Sequence, residues 1–478
     1  MKLFLKILRK IAVVLGYLLS VILVTLVCAM LFSRKDYGNP ETPIGEQMSK
    51  MAFSNVNLIS MEEGQEEVAR HVSVLIDNGT ISQIIPDSIT IPSAYNTIDA
   101  EGKYLMPGLI DMHTHIFDRS DLAIYLAHGV TTVRNMMGLP MHLRWRQQLA
   151  ANEYPGARLI TASPTINSGG NGGPFHKNVA NATEAIAAVK AYAEKGYDLI
   201  KIYDGLNEEQ FLAIMEEAKR NNVYVAGHPP HQIDLDVLLQ SDIRSFEHVE
   251  EIVQGMMAYK LDTVLGRSIA KKLKSHDSRV TITLAPFHNI YKATTEGEAF
   301  LENIPKENIN PFIRFIGEKQ MAEWVDSNAG TFKWHVEKYQ CMLDLLRILQ
   351  EEQVALLLGT DTGPSLTIPG LSLHKEIELL YKNGIPAYDI LKSGTVNAAK
   401  ALGKEKEFGT LAIGKKAELV LVSQNPLTNL ASLKNPVGVM SNGLWYDQAR
   451  IEELRTLGKD KSNIFLTVGR FLNHMVSK

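Results

Sequence analysis

The sequence predicts a (β/α)8 TIM barrel with a small β-sandwich formed from both chain ends, preceded by one N-terminal transmembrane helix. Three observations predict this α/β architecture. Eight short apolar segments alternate with helical patterns in the middle of the chain, β-rich segments lie on both sides of them, and 22 consecutive residues near the N-terminus carry no charge. Alternating strands and helices are typical of parallel βαβ units, and eight units favour a closed barrel over an open sheet.

The N-terminal 1–35 is predicted to be a short cytoplasmic stub followed by a membrane anchor. Residues 11–32 are uncharged, and at 1.5 Å per residue they extend roughly 33 Å, enough to cross a ~30 Å hydrocarbon core. Four basic residues precede this run and two follow it closely. This bias predicts that the large domain lies on the non-cytoplasmic side, periplasmic or extracellular. A cleaved signal peptide is the alternative, although the run exceeds a typical h-region and no Ala-x-Ala site follows.

Composition argues against two kinds of site: a nucleic-acid-binding surface and a metal site made of cysteines. The net charge is −4 and no basic domain stands out, so a nucleic-acid partner is not expected. Only two cysteines occur, Cys28 and Cys341, and no CxxC pair is present. A disulfide between them is not expected because Cys28 lies in the apolar run. Any metal must therefore be held by histidine and carboxylate side chains.

After a polar tether at 36–50, two segments are predicted to form the β-sandwich: 51–106 and 404–450. Alternating or apolar runs bounded by turn residues indicate the strands. They are Phe53–Ile59, His71–Ile76, Ile81–Ile85, a segment within Phe408–Val422, and a hairpin in Pro436–Tyr446 that turns at Asn442-Gly443.

The barrel is predicted to cover 107–403. Its candidate strands are Leu109–Ile116, Val130–Asn135, Arg158–Ser163, Leu199–Tyr203, Val223–Gly227, Ser245–Val249, Val280–Ala285 and Ala355–Thr360. The stretch 286–350 is longer than one crossover needs, so a lid or the contact surface of a homo-oligomer is expected there. The C-terminal extension 451–478 contains an amphipathic piece, Ile464–Met475, which could touch either membrane or barrel.

Polar residues that can bind metals follow several of these strands. His113 and His115 are two residues apart on the first strand, so their side chains share one face. His228 and His248 lie at the ends of the fifth and sixth strands, and Asp361 follows the eighth. Each of these alone is more often a structural polar residue or a helix cap. Together they fall at the same rim of the barrel, where catalytic residues of this fold lie, and two imidazoles side by side can bind one transition metal.

Lys201 lies at the end of the fourth strand among apolar residues. Such an environment disfavours the charged amine. A neutral amine can add CO2 to form a carbamate, which would bridge two cations as a carboxylate does. The alternative is an ordinary ion pair between this lysine and a nearby carboxylate.

These motifs resemble the amidohydrolase superfamily, and most closely its imidazolonepropionase-like and prolidase-like branch. The resemblance spans nearly the whole chain after the apolar run. It is carried by Pro107–His115, Gly129–Arg134, Ile200–Tyr203, Ala226–His228, Phe246–His248, Gly359–Asp361, Thr395–Gly403, Gly409–Leu411 and Gly414–Val420.

The resemblance implies one or two divalent ions, with Zn2+ as the first candidate. His113 and His115 would ligate the first ion, and His228 and His248 the second. Lys201 would bridge them as a carbamate, and Asp361 would be both ligand and proton shuttle. Two departures from the family pattern lie where substrate is held: the loop 169–173 has Asn171 where relatives often have histidine, and His228 is followed by His231 rather than by a His-x-His pair.

The function predicted from the sequence is metal-dependent hydrolysis of a C–N bond in a small molecule, an amide, cyclic amide or dipeptide. Asp361 would be the catalytic residue, and the candidates for holding substrate are Tyr203, His231 and Asn171. Two alternatives stay open: a deaminase on the same scaffold, and a catalytically silent barrel that only binds a ligand.

Overall fold

The computed structural model describes residues 2–36, 44–65, 67–170, 173 and 175–477. The strands are β1 (Glu46–Gln47), β2 (Lys50–Leu58), β3 (Ala69–Asp77), β4 (Thr80–Pro86), β5 (Asn96–Asp99), β6 (Tyr104–Pro107), β7 (Leu109–Thr114), β8 (Val130–Asn135), β9 (Arg158–Thr161), β10 (Ile166–Asn167), β11 (Lys177–Asn178), β12 (Leu199–Ile202), β13 (Tyr224–Gly227), β14 (Phe246–Glu247), β15 (Arg279–Thr281), β16 (Ala355–Leu357), β17 (Leu419–Val422), β18 (Gly438–Ser441) and β19 (Leu444–Asp447).

The helices are α1 (Lys2–Phe32), α2 (Arg119–Ala127), α3 (Pro140–Ala150), α4 (Ala182–Glu194), α5 (Glu208–Arg220), α6 (Leu235–Gln240), α7 (Val249–Glu251), α8 (Thr263–Ser275), α9 (Leu284–Glu296), α10 (Glu298–Glu302), α11 (Pro311–Val325), α12 (Ala329–Glu351), α13 (Leu371–Lys382), α14 (Ala387–Ser393), α15 (Val396–Leu402), α16 (Gln448–Gly458) and α17 (Ile464–Ser477). Many begin at a side chain that accepts a backbone N–H, such as Asn181 before α4 and Asp262 before α8. Such caps satisfy amides that have no partner inside the helix.

Eight parallel strands close into the predicted barrel. Strands β7, β8 and β9 pair in order, and so do β12 through β16. A bridge between Ala162 and Leu199 joins the two groups at one side, and a bridge between Thr114 and Thr362 joins them at the other. Each of the eight predicted strands therefore overlaps one barrel strand, and the TIM-barrel prediction is confirmed.

Six of the predicted barrel strands end earlier than expected, and two of these ends lie next to left-handed residues. The segment predicted as Val280–Ala285 is a strand only as far as Thr281, because Thr283 adopts φ 54° and helix α9 begins at Leu284. Likewise the strand that carries His248 stops at Glu247, since His248 has φ 71°. Both left-handed residues lie at the rim, where the chain changes direction sharply.

The β-rich segments from the two chain ends form one nine-stranded sheet, whereas a sandwich of two sheets was predicted. Strand β17 pairs antiparallel with β6, which in turn pairs with β2. The sheet curls strongly: Phe53 on β2 and Trp445 on β19 are four strands apart in the sheet order, yet their ring centroids are 4.9 Å apart. A flat sheet would separate strands at that distance by roughly 19 Å. Curling thus closes an apolar core within a single sheet.

The predicted insertion 286–350 is helical: α10, α11 and α12 all contact α9, and α12 also contacts α8. Helix α1 is long and apolar enough to cross a membrane by length and composition, and its apolar side chains are largely exposed from Phe4 onward. Part of the predicted tether, 37–43, lies outside the described residues. The C-terminal piece, which could have touched membrane or barrel, is helix α17, and it contacts α1, α3 and α11.

Candidate metal centre and active site

Three predicted ligands meet at the ends of β7 and β16. The Nε2 atom of His115 is 2.9 Å from Oδ1 of Asp361, and the Nε2 atom of His113 is 3.4 Å from the same oxygen. Within the described ranges, these three residues are the group of His, Cys, Asp and Glu donors spaced to hold a metal ion, with ligand atoms within 4.8 Å of one another. An imidazole pair with a carboxylate is a donor set typical of Zn2+.

The remaining histidine ligands predicted from the sequence adjoin this group. The ring of His248 is 4.5 Å from that of His113, and the ring of His228 is 4.7 Å from that of His248. His228 and His248 follow neighbouring parallel strands, β13 and β14, so both side chains emerge at the same rim. The structure therefore brings the four imidazoles into one continuous cluster.

Asp361 has an unusual backbone conformation, with φ 50°. A non-glycine residue in the left-handed region is uncommon and costs free energy, and such residues cluster at functional sites. Two backbone contacts fix it: its N–H donates to the carbonyl of His113 at 2.7 Å, and its carbonyl accepts from Thr367 at 3.1 Å. This turn directs the carboxylate toward the histidines.

The carboxyl of Asp361 is ionised at neutral pH. Burial by itself would raise its pKa, but the hydrogen bond from His115 and the neighbouring basic side chains, Lys201 among them, outweigh burial and hold the pKa well below its usual range. Two of the histidines opposite are neutral: burial lowers the pKa of His248 to about 3. Burial likewise lowers the pKa of His113 well below its ordinary value. Neutral imidazole and ionised carboxylate are the protonation states that bind metal.

Lys201 lies on β12 with its side chain buried, and its Nζ has no hydrogen-bond partner among the described residues. Burial lowers the pKa of this amine to about 8, although the charges of Glu247 and Asp361 oppose the shift. A buried amine without a partner costs free energy. Because no described side chain holds this amine in a hydrogen bond, it is free to add CO2, and the residues fit the carbamate that the sequence predicts.

Sequence reasoning missed the residues that orient the histidines. Oε2 of Glu247 accepts from Nδ1 of His113 at 2.8 Å, and Oε1 of the same carboxylate accepts from Arg134 at 2.7 Å and from Ser245 at 2.6 Å. With the Nδ1 proton held by Glu247, the lone pair of His113 is at Nε2 and faces Asp361. Nδ1 of His248 is similarly 2.6 Å from the Thr283 hydroxyl. Such partners fix the tautomer and ring orientation of a metal ligand.

The predicted substrate-binding residues have three different outcomes. The Tyr203 ring lies 4.1 Å from that of His228. His231 is partly exposed, and its Nε2 donates to Glu251 at 2.7 Å, a carboxylate that also lies 3.3 Å from Nδ1 of His228. Asn171 lies outside the described residues. The same loop nevertheless brings a histidine to this region, since the His176 ring is 4.6 Å from that of Tyr203.

Comparison with known proteins identifies the family. Residues 104–445, which include the whole barrel, strand β6 before it and strands β17 and β18 after it, match the model of the amidohydrolase family. The chain belongs to the amidohydrolase family. This confirms the resemblance drawn from the sequence, and it makes the protein a hydrolytic enzyme that acts on carbon–nitrogen bonds. The silent-barrel alternative is therefore not favoured.

Relatives of this amidohydrolase differ in what they act on. The chain is 23% identical to the 5'-deoxyadenosine deaminase of Methanobrevibacter smithii over 383 residues, covering 74% of this chain and 80% of the relative. The solved structure of a bottromycin amidohydrolase matches with a TM-score of 0.72 at 24% identity, covering 91% of this chain and 93% of that one. A Xaa-Pro dipeptidase with bound methionine matches with a TM-score of 0.65 at 20% identity, covering 84% and 100%. The structural matches establish the amidohydrolase fold.

Proposed function

We propose that this amidohydrolase is a metal-dependent hydrolase that cleaves the C–N bond of an amide, a cyclic amide or a dipeptide, with Asp361 as proton shuttle. The observation that carries the proposal is the convergence of His113, His115 and Asp361 at the C-terminal rim of the barrel. An ionised, buried carboxylate beside the neutral imidazole of His113 suits a group that accepts a proton from water and returns it later.

The residues that would hold the metal are the four histidines, Asp361 and a carbamylated Lys201, with Zn2+ as the expected ion and room for one or two. A bound divalent ion supplies Lewis acidity, which lowers the pKa of water from 15.7 to about 7. The unpartnered Nζ of Lys201 supports the carbamate and hence the two-ion form.

Asp361 would take one proton from the attacking water as the C–O bond forms at the scissile carbonyl. It would then deliver that proton to the departing nitrogen as the C–N bond breaks, so that the products are a carboxylic acid and an amine. Burial raises the pKa of Tyr203, so its hydroxyl stays protonated and can donate to the developing oxyanion. The hydrogen bond with Glu251 raises the pKa of His231, which makes His231 a second candidate donor.

The test is the substitution Asp361→Asn. An amide side chain keeps the shape but cannot accept the proton, so we expect turnover to fall by at least ~100-fold. Metal content is measured by elemental analysis on the same preparation, which separates lost proton transfer from lost metal. Near-normal activity in the metal-loaded variant would contradict the role of Asp361.

A deaminase is the second candidate, because a named deaminase matches 74% of this chain. Both reactions hydrolyse a C–N bond, but they release different products. Incubation with 5'-deoxyadenosine and with dipeptides, followed by assays for ammonia and for new carboxylate, distinguishes them. Ammonia released only from the nucleoside would favour the deaminase.

We further propose that α1 anchors the enzyme in a membrane, with the catalytic domain on the non-cytoplasmic side. The exposed apolar length of α1 and the basic residues before it support this. Protease treatment of spheroplasts, whose cytoplasmic membrane is intact and whose outer membrane, if any, is open, tests the orientation: digestion of the catalytic domain only after lysis of the cytoplasmic membrane would overturn it.

A further inference from the structure

An apolar cavity of about 240 Å³ lies directly beside the predicted metal ligands. One part of its wall is His115 with Gly363 and Pro364, which follow Asp361 in the chain. The remainder of the lining is almost entirely apolar: Phe117, Met137, Phe175, Ile313, Ile316 and Phe471, with Gly317 and Gln320. A space lined by hydrocarbon side chains therefore adjoins the predicted metal site.

Phe471 of helix α17 is the centre of the aromatic part of this wall. Its ring centroid lies 4.6 Å from that of Phe175, 5.6 Å from that of Phe312 and 6.1 Å from that of Phe117. Phe117 is two residues beyond His115, so aromatic contacts run without interruption from the metal-binding strand to the C-terminal helix. The C-terminal extension is therefore part of the active-site wall.

Buried polar contacts fix α17 in this position. Arg470 donates to Asp118 at 2.9 Å, and Asn310 at the start of α11 donates to Asp118 at 2.6 Å and to Thr467 at 2.9 Å. Asp118 and Thr467 are both buried. These buried hydrogen bonds therefore hold α17, and with it Phe471, in place beside the cavity.

The same helix packs against the end of the apolar N-terminal helix. Gly469 approaches α1 so closely that a Cβ added there would lie 2.1 Å from the carbonyl oxygen of Ala29. On the other side of the cavity, α11 exposes Phe315 and Ile316, with 64% and 47% of their surfaces accessible. The apolar cavity is therefore continuous with exposed apolar surface, close to where α1 joins the catalytic domain.

We propose that the substrate carries an alkyl or acyl chain that occupies this cavity while its C–N bond lies at His113, His115 and Asp361. The inference rests on the proposed C–N hydrolysis and names the substrate class as amphiphilic amides. A polar or charged group in the cavity would lose its water and find only Gln320 and His115 as partners. A hydrocarbon chain forms no hydrogen bonds with water, so its transfer into the cavity carries no such cost. A chain that leaves the bilayer next to α1 would reach the cavity along exposed apolar surface.

The experiment measures binding rather than turnover. Full-length, Zn2+-loaded protein in lipid nanodiscs is titrated calorimetrically with butanoate, hexanoate, octanoate and decanoate, and the signal of empty nanodiscs is subtracted. Each buried methylene should increase affinity about fourfold, hence roughly 16-fold per two-carbon step, until the cavity is full.

Two variants at Ile316 and one matched control locate the effect. Ile316→Glu places a charge in the lining and should abolish the dependence on chain length, whereas Ile316→Trp should fill the cavity and shorten the longest chain accepted. Ile413→Glu changes an equally apolar residue that is 65% exposed in the turn before β17 and is not part of the lining, so it should leave the dependence intact.

The outcomes separate this inference from the proposed hydrolysis. Chain-length-dependent binding that Ile316→Glu removes supports the inference, even if no amide is hydrolysed. Affinity that is the same for all four alkanoates overturns it, even if short amides are turned over. A dependence that persists unchanged in both Ile316 variants also overturns it, since the chain would then bind elsewhere.

Discussion

Replacing Glu247 by Gln tests whether the metal site depends on the tautomer of His113. Glu247 is fully buried and accepts from three donors, His113, Arg134 and Ser245. A glutamine has one acceptor oxygen and one NH2 group. If the oxygen faced His113, the NH2 would face the guanidinium of Arg134, donor against donor. The oxygen must therefore face Arg134, which leaves the NH2 against His113.

The consequence for His113 follows from its protonation state. Its pKa is far below neutrality, so the ring carries one proton. Next to the glutamine NH2, Nδ1 becomes the acceptor and the proton moves to Nε2, the atom 3.4 Å from Asp361. Metal binding then requires the ring to return to the other tautomer, which leaves a buried donor unpaired at a cost of about 1–3 kcal/mol. This corresponds to roughly 5- to 150-fold weaker metal binding, which includes the range typical of lost partners of metal ligands.

The assay is titration of chelator-stripped protein with Zn2+ in the presence of a competing chelator, with thermal unfolding as a check on folding. Ser245→Ala is the matched control, because it removes one hydrogen bond to Glu247 and leaves the bond to His113 intact. We expect less than a threefold change for that control. If E247Q binds Zn2+ as tightly as wild type, or if Ser245→Ala weakens binding equally, the tautomer argument is refuted.

Three further predictions concern Lys201 and the C-terminal helix. Lys201→Ala should bind fewer Zn2+ ions per chain, since the bridging carbamate is lost, and an unchanged metal-to-protein ratio would exclude that bridge. Gly469→Val should destabilise the fold by about 1–3 kcal/mol, because its Cβ would meet Ala29; equal melting temperatures would show that the two helices do not pack this closely. Arg470→Leu leaves the buried Asp118 without its cation and should lower the free energy of unfolding by about 3–5 kcal/mol, measured by denaturant titration against wild type.

The barrel was predictable because its signals are local. Each barrel strand is a short apolar run that is followed by a helix pattern. In the other sheet, the turn predicted at Asn442-Gly443 is equally local, and both residues have positive φ there. His113 and His115 were predictable for the same reason, because two residues on one strand share a face. The strand ends were less predictable, since left-handed residues such as Thr283 and His248 carry no distinctive pattern in the sequence.

The contacts that orient the histidines depend on residues that lie far apart in the chain. Glu247 is 113 residues from Arg134 and 134 residues from His113, and no local pattern indicates that they meet. The sequence offered one signal for Glu247. It is a carboxylate in a strand next to the predicted ligand His248, and it shares a strand face with Ser245, whereas Phe246 lies on the opposite face. The curled single sheet could not be predicted either. Whether the strands form one sheet or two depends on the order in which they pair, and the sequence patterns of single strands do not reveal that order.

The position of Asp118 explains why the chain end belongs to the active site. It follows His115 by three residues, and it accepts from Arg470 and from the backbone of Ser462, both in the C-terminal extension. A buried carboxylate held by several donors resists displacement, so the loop after β7 and helix α17 move together or not at all. Since α17 also packs on Ala29 of α1, the loop that follows the first two metal ligands is tied through one helix to the apolar N-terminal helix. This continuity supports assigning the cavity at Phe471 to substrate.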